Sequence, residues 1–141
     1  MDVRFVLLPL FVEVLLTLGL LAWLGLLRRD DLVSGAVKPS QIALREPNWR
    51  PRTLQVANSF ANQFELPVLF YVLTILEIIT HHADIVFLVL AWVFVISRLA
   101  HAYVHTTSNV VMRRGGIYGV GMFALMLMWL IFIVRIVLGL P

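Results

Sequence analysis

The chain has 141 residues, 61% of them hydrophobic and only 13% charged, with a formal charge of +3 and no cysteine. Such a composition is far more apolar than the roughly 45–50% of a soluble domain, so a water-soluble globular fold is excluded; disulfides, cysteine metal sites and a protein thiol nucleophile go with it. The Lys and Arg residues stand beside apolar runs rather than on a soluble basic face, which points to the lipid bilayer and not to nucleic acid as the partner.

Four apolar runs, 5–27, 58–79, 85–104 and 117–138, each have about the 20 residues that a helix needs to cross a hydrocarbon core of about 30 Å. They predict an all-α membrane protein, a bundle of four transmembrane helices, forming one domain over 1–141. Arg28, Arg29, Lys38, Arg45, Arg50 and Arg52 fall in the first connection and Arg113 and Arg114 in the third, against Arg4 and Arg135 on the other side. By the positive-inside rule the first and third connections are cytoplasmic and both termini lie outside the cytoplasm.

The first run exceeds the apolar core of a signal peptide, and no small-x-small cleavage motif follows Leu27, so it is read as a span. It carries Pro9 in its first turns, where the missing N–H matters least, and one carboxylate, Glu13, read as a buried polar contact between helices. Glu13 sits nearer the outer end than the arginine of the third span, and the two are not paired. Residues 28–57 are too short for a domain; their prolines, their charges and Trp49 suit a loop at the headgroup layer.

In the second run Asn58, Asn62 and Glu65 share one helical face at i, i+4 and i+7. Pro67 follows and kinks the helix beside them. Glu77, near the outer end, is given the interface and no role. The third run carries Arg98, His101 and His105 at i, i+3 and i+7, a polar face that must turn towards protein or a wet cavity. Glu65 and Arg98 lie at similar depth from the cytoplasmic face, and the short THHAD connection makes their helices antiparallel neighbours. They are expected to form an intramembrane ion pair, read foremost as a structural brace, with a ligand role for Glu65 as the second reading.

His101 and His105 have a spacing that suits a metal, but no carboxylate stands between them as in H-E-x-x-H, so hydrogen bonding in a polar pocket is preferred and no metal is expected. In the third connection Gly115 and Gly116 are expected to supply the turn beside Arg113 and Arg114. By spacing alone these arginines are topological anchors.

The joint order of ANQFELPVLF in the second run, RLAHAYVH in the third and RR in the third connection resembles the MAPEG family, membrane-associated proteins in eicosanoid and glutathione metabolism. The resemblance covers essentially the whole chain. It implies a homotrimer with glutathione or a lipophilic small molecule held between subunits near the cytoplasmic leaflet, in a bacterial-type member the inner membrane. It further implies that Asn62 and Glu65 help hold glutathione, that Arg98 braces Glu65 with His101 in the same pocket, and that Arg114 and His105 contact the thiol as catalytic residues. Prostaglandin-E-synthase-like members place arginines where this chain has Ala61 and Asn58, and a tyrosine where it has His105. The activity implied is a glutathione-dependent transferase or peroxidase on lipophilic electrophiles; the alternative is a non-enzymatic scaffold or lipophile-binding protein of the same fold.

Overall fold

The computed structural model describes residues 1–141, and all of its regular structure is helical. Five α-helices follow in order, α1 (Val3–Val33), α2 (Pro51–Ala61), α3 (Leu66–Ile79), α4 (Ile85–Thr106) and α5 (Val111–Leu138), with 3₁₀ turns at Pro39–Gln41 and Asn62–Phe64. The second 3₁₀ turn joins α2 to α3, so four helical stretches are long and apolar enough to cross a membrane: Val3–Val33, Pro51–Ile79, Ile85–Thr106 and Val111–Leu138. The all-helical, four-span architecture read from hydropathy is the one observed.

The helices outrun the apolar windows. With 31 residues α1 extends about 46 Å at 1.5 Å per residue, well beyond the hydrocarbon core. Its polar end is fastened by Arg50, which bridges Asp30 and the fully buried Asp31 and so folds the connection back onto α1. Arg28 lies over Trp49 at 5.1 Å and Arg52 over Trp23 at 4.8 Å, cation–aromatic pairs suited to the headgroup layer.

Two local expectations are corrected. Gly115 and Gly116 do not form the third turn; they lie inside α5, which begins at Val111. The chain turns instead at Asn109, in the left-handed region at φ 51°, a conformation that asparagine tolerates better than most residues. Asn109 is held there by its N–H to the Val104 carbonyl at 2.8 Å. Glu77, in turn, does not reach the interface: it is 2% exposed, packed among α3, α4 and α5 near Arg135.

The core is built from Phe70 and Leu73 of α3, Phe87, Ala91, Phe94 and Val95 of α4, and Ala124, Leu125, Met128 and Phe132 of α5, closed by Val6 of α1. Phe70 and Phe94 meet at 4.8 Å between ring centres. Small residues let α4 and α5 approach closely, as in membrane helix pairs generally. Gly121 is the tightest point, because a Cβ there would run into the Ser97 hydroxyl. Ser97 is itself settled by donating to the Phe94 carbonyl at 2.6 Å, which hides its hydroxyl from the apolar surroundings. The outward faces carry exposed Leu15, Ile75, Val89, Phe123 and Met126, the surface that lipid would cover.

At the opposite end Asp84 caps α4, accepting from the Phe87 N–H at 2.9 Å, and pairs with Arg135 of α5 at 2.5 Å. Arg135 also donates to the His82 carbonyl at 3.3 Å, so one cation ties the end of α5 to the α3–α4 turn. Burial alone would push the Asp84 carboxyl up, but the Arg135 hydrogen bond and the Phe87 N–H outweigh it and hold Asp84 below the ordinary carboxylate range.

Two outcomes follow. Gly121→Ala should destabilise by about 1–3 kcal/mol through overpacking, and adding Ser97→Ala should recover part of the loss, whereas Gly119→Ala, which meets nothing, should be neutral or stabilising; thermal unfolding in detergent reads all three. The Asp84 stabilisation is full above its unfolded value, near pH 4, and disappears as pH falls through the depressed folded value. Asp84→Asn should therefore lower Tm at pH 7 and flatten its decline on acidification; a parallel decline in both proteins would assign the acid sensitivity elsewhere.

Candidate functional site

The polar cluster is assembled by the register of α2 against α4. The last carbonyls of α4 have no helical partners and are satisfied from α2: Arg52 donates to the Thr106 carbonyl, and Gln55 Nε2 donates to the His105 carbonyl at 2.8 Å and the Thr107 carbonyl at 3.1 Å. From Gln55 seven residues along the chain lead to Asn62, and from His105 seven residues back along α4 lead to Arg98. In antiparallel neighbours these residues must also meet. Arg98 Nη2 donates to Asn62 Oδ1 at 2.5 Å and to the Asn62 carbonyl at 3.3 Å.

The expected Glu65–Arg98 ion pair does not form; the ion pairs of the chain are Arg50 with Asp30 and Asp31, and Arg135 with Asp84. The cause lies in Pro67. Proline at the second position of α3 has no N–H and crowds the carbonyl four residues before it, so α2 tightens into the 3₁₀ turn and the backbone leaves helical geometry at Glu65 (φ −96°, ψ −107°). The even face that would have carried Asn58, Asn62 and Glu65 together is interrupted there. Asn62 turns inward and Glu65 stands on the exposed surface of the chain.

Around Arg98 the remaining groups come from α4 and α5. Its guanidinium lies over the Tyr118 ring at 5.6 Å. His101 meets the Tyr118 and His105 rings, each at 5.5 Å between centres, and its Nδ1 lies 3.1 Å from the Arg114 carbonyl. Arg114 is half-buried, and its Nη1 donates to Asn109 Oδ1 at 2.6 Å; Arg113 beside it is exposed. Arg98, His101 and His105 are 1%, 3% and 6% exposed, so they sit inside the chain, while Glu65 and Asn58 are exposed and Asn62, Arg114 and Tyr118 are half-buried. His101 Nε2 and His105 Nδ1 are buried without partners.

All six residues singled out from sequence thus lie around one region at the C-terminal end of α4, in two tiers: an inner tier of buried Arg98, His101 and His105 with half-buried Asn62, and an outer one of Glu65 and Arg114. Tyr118 was missed. It carries the arginine's π contact and has both Arg98 and Glu65 as charged neighbours. The signal was available: Tyr118 follows Arg114 by four residues and so shares its face of α5. No group of three or more His, Cys, Asp or Glu side chains is placed to hold a metal ion.

Fold and site together define a four-span helical membrane protein with a polar cluster around one buried arginine towards one end of the bundle. The sequence profile of the MAPEG family matches residues 6–134, and the chain belongs to that family. No curated protein and no solved structure matches the chain in the same comparisons.

The contacts predict that Asn62→Ala, which deletes the side-chain acceptor from a buried cation, should cost about 1.5–3 kcal/mol, while Glu65→Gln, on the outer surface, should cost less than about 0.5 kcal/mol in the isolated chain. Thermal unfolding in detergent under conditions that keep the protein monomeric checks the contrast. Equal losses would return Glu65 to the side of Arg98.

Proposed function

We propose that this protein is a glutathione-dependent transferase or peroxidase acting on lipophilic electrophiles, working as a homotrimer in the inner membrane of a bacterial cell with both termini outside the cytoplasm. The observation that carries the reading is the two-tier site, in which a buried brace fixes the backbone where the second span breaks and thereby sets the carboxylate of Glu65 on the outer surface, near Tyr118. A carboxylate on the flank of a membrane helix is costly against lipid, and a subunit interface with a polar ligand relieves that cost.

Glutathione needs an anion for its ammonium, cations for its two carboxylates, and a positive charge near its sulfur. Glu65 supplies the first. Ala61 and Asn58 offer no cation, but Asn58 borders a cleft of about 490 Å³ that is also lined by Arg28, Arg45, Glu46 and Trp49. Arg28 and Arg45 are exposed there and can meet the carboxylates. When bound, the tripeptide supplies the thiol that this chain lacks.

Arg114 is the residue for the sulfur. Its side chain is steadied by Asn109 and its carbonyl by His101, so its charge is held in place, and His105 is close enough to feel that charge. A thiol of pKa near 8.5 is mostly protonated at neutral pH, and a fixed cation beside it favours the thiolate. Arg98, with its contacts to Asn62 and Tyr118, acts from behind as a positioning group.

A second reading rests on the burial of Arg98, His101 and His105: a scaffold or lipophile-binding protein that keeps the brace without thiol chemistry. One experiment separates the two. Glutathione is titrated into purified protein in nanodiscs while thiolate absorbance is followed against pH for wild type, Arg114→Ala and Arg113→Ala. The proposed function expects saturable binding, a bound-thiol pKa below that of free glutathione, and a rise of about one unit or more in Arg114→Ala but not in Arg113→Ala. Equal, small effects would reduce Arg114 to an anchor; no binding by an intact oligomer would favour the scaffold.

A further inference from the structure

Two groups able to carry opposite charge lie inside the bundle with polar atoms that no part of the chain satisfies. Glu13 on α1 is 0% exposed, and both of its carboxyl oxygens are buried without a partner. Arg98 on α4 spends Nη2 on Asn62, while Nε and Nη1 are buried and unpaired. The two helices pack directly against each other, and of the charged groups acting on Arg98, Glu13 bears on it most strongly, ahead of Glu65. Yet they make no direct ion pair.

What can lie between them is narrowed by burial. The atoms are sealed by the chain's own helices, so a headgroup, a thiol ligand or a neighbouring subunit cannot reach them without opening the bundle. Water is small enough, accepts from a guanidinium and donates to a carboxyl oxygen in one site, and is the usual occupant of polar gaps in protein interiors. The surroundings are polar enough to keep it. Tyr71 of α3 has Thr17, Glu13 and Arg98 as neighbours, and the Thr17 hydroxyl donates to the Glu13 carbonyl at 3.1 Å.

We propose that an internal water site joins the Glu13 carboxyl to Nε and Nη1 of Arg98, and that Glu13 is thereby the positioning residue that aims Nη2 at Asn62. The guanidinium is a rigid planar fork, so fixing two of its nitrogens sets the direction of the third. Glu13 and Asn62 then hold Arg98 from two sides, one in α1 and one at the break in the second span. The inference needs no glutathione, and it goes beyond the reading of the outer tier.

The test uses the whole protein in nanodiscs with ¹⁵N-labelled arginine, the Arg98 Nε–H resonance being assigned by its loss in Arg98→Lys. The expected result is a cross-peak from this resonance to water in wild type, retained in Glu13→Gln, whose amide oxygen still accepts from water, and lost or strongly shifted in Glu13→Leu. Glu13→Leu and Arg98→Met should each lower Tm by roughly 10 °C, as breaking a buried pair does, and the double variant should fall by less than the two losses added. A wild-type resonance without a water cross-peak overturns the proposal, and so do additive losses in Tm. If Glu13→Leu does not fold, Glu13→Gln decides: loss of the water cross-peak in that conservative variant also counts against the site.

Discussion

A guanidinium inside a membrane bundle sets the terms for this fold. Arg98 is 1% exposed in a chain whose outer faces are apolar, and an unmet charge there would cost more than most single contacts return. The chain answers it with an amide oxygen and a carbonyl from Asn62 and the π face of Tyr118, and Glu13 is the buried carboxylate that bears on it. None of these is enough alone. Together they require α1, α4, α5 and the break in the second span to keep one relative arrangement, so a cation that is expensive to bury becomes the group that specifies how the helices assemble.

That arrangement is reinforced from the membrane edge. Arg52 and Gln55 satisfy the final carbonyls of α4 and fix the register of α2, and the same register delivers Asn62 to Arg98 two helical turns deeper. Local capping and the deep polar contact are therefore one constraint seen at two depths. Arg52 also stacks on Trp23, which brings the headgroup end of α1 into the same frame. A change at the edge of the membrane would in this way reach Asn62 without touching it.

The four crossings were legible because hydropathy depends on composition over some twenty residues and forgives errors at the ends. The polar pairing was less legible because it depends on direction. Depth alone puts Glu65 level with Arg98 only if the second span is one continuous helix, and it is not. Pro67 predicts a kink, but a kink and a break differ in where they send the preceding side chains: the tightened turn keeps Asn62 against Arg98 and puts Glu65 outside. Glu13 is set apart from Arg98 when residues are counted from the span ends, and no ion pair joins the two, but a count along each span says nothing of which helices pack together, and α1 lies against α4. The glycine pair misled for another reason, since a glycine permits a turn without requiring one, and Asn109 made it instead.

Arg113 and Arg114 show how finely this geometry separates anchoring from chemistry. One step along a helix turns a side chain by about 100°, enough here to leave Arg113 in the exposed layer while Arg114 bonds Asn109 and offers its carbonyl to His101. Composition and the positive-inside rule count both residues equally. Only the second is tied to the cluster around Arg98, because its carbonyl meets His101, whose ring packs on Tyr118. A cation that is to influence a bound sulfur must be kept at a fixed distance from it, because a freely moving charge in water is screened and shared with solvent. The cost of burying Arg98 and the placement of Arg114 are thus linked through one ring contact: Tyr118, which covers the inner arginine, packs on His101, which lies against the carbonyl of the outer one.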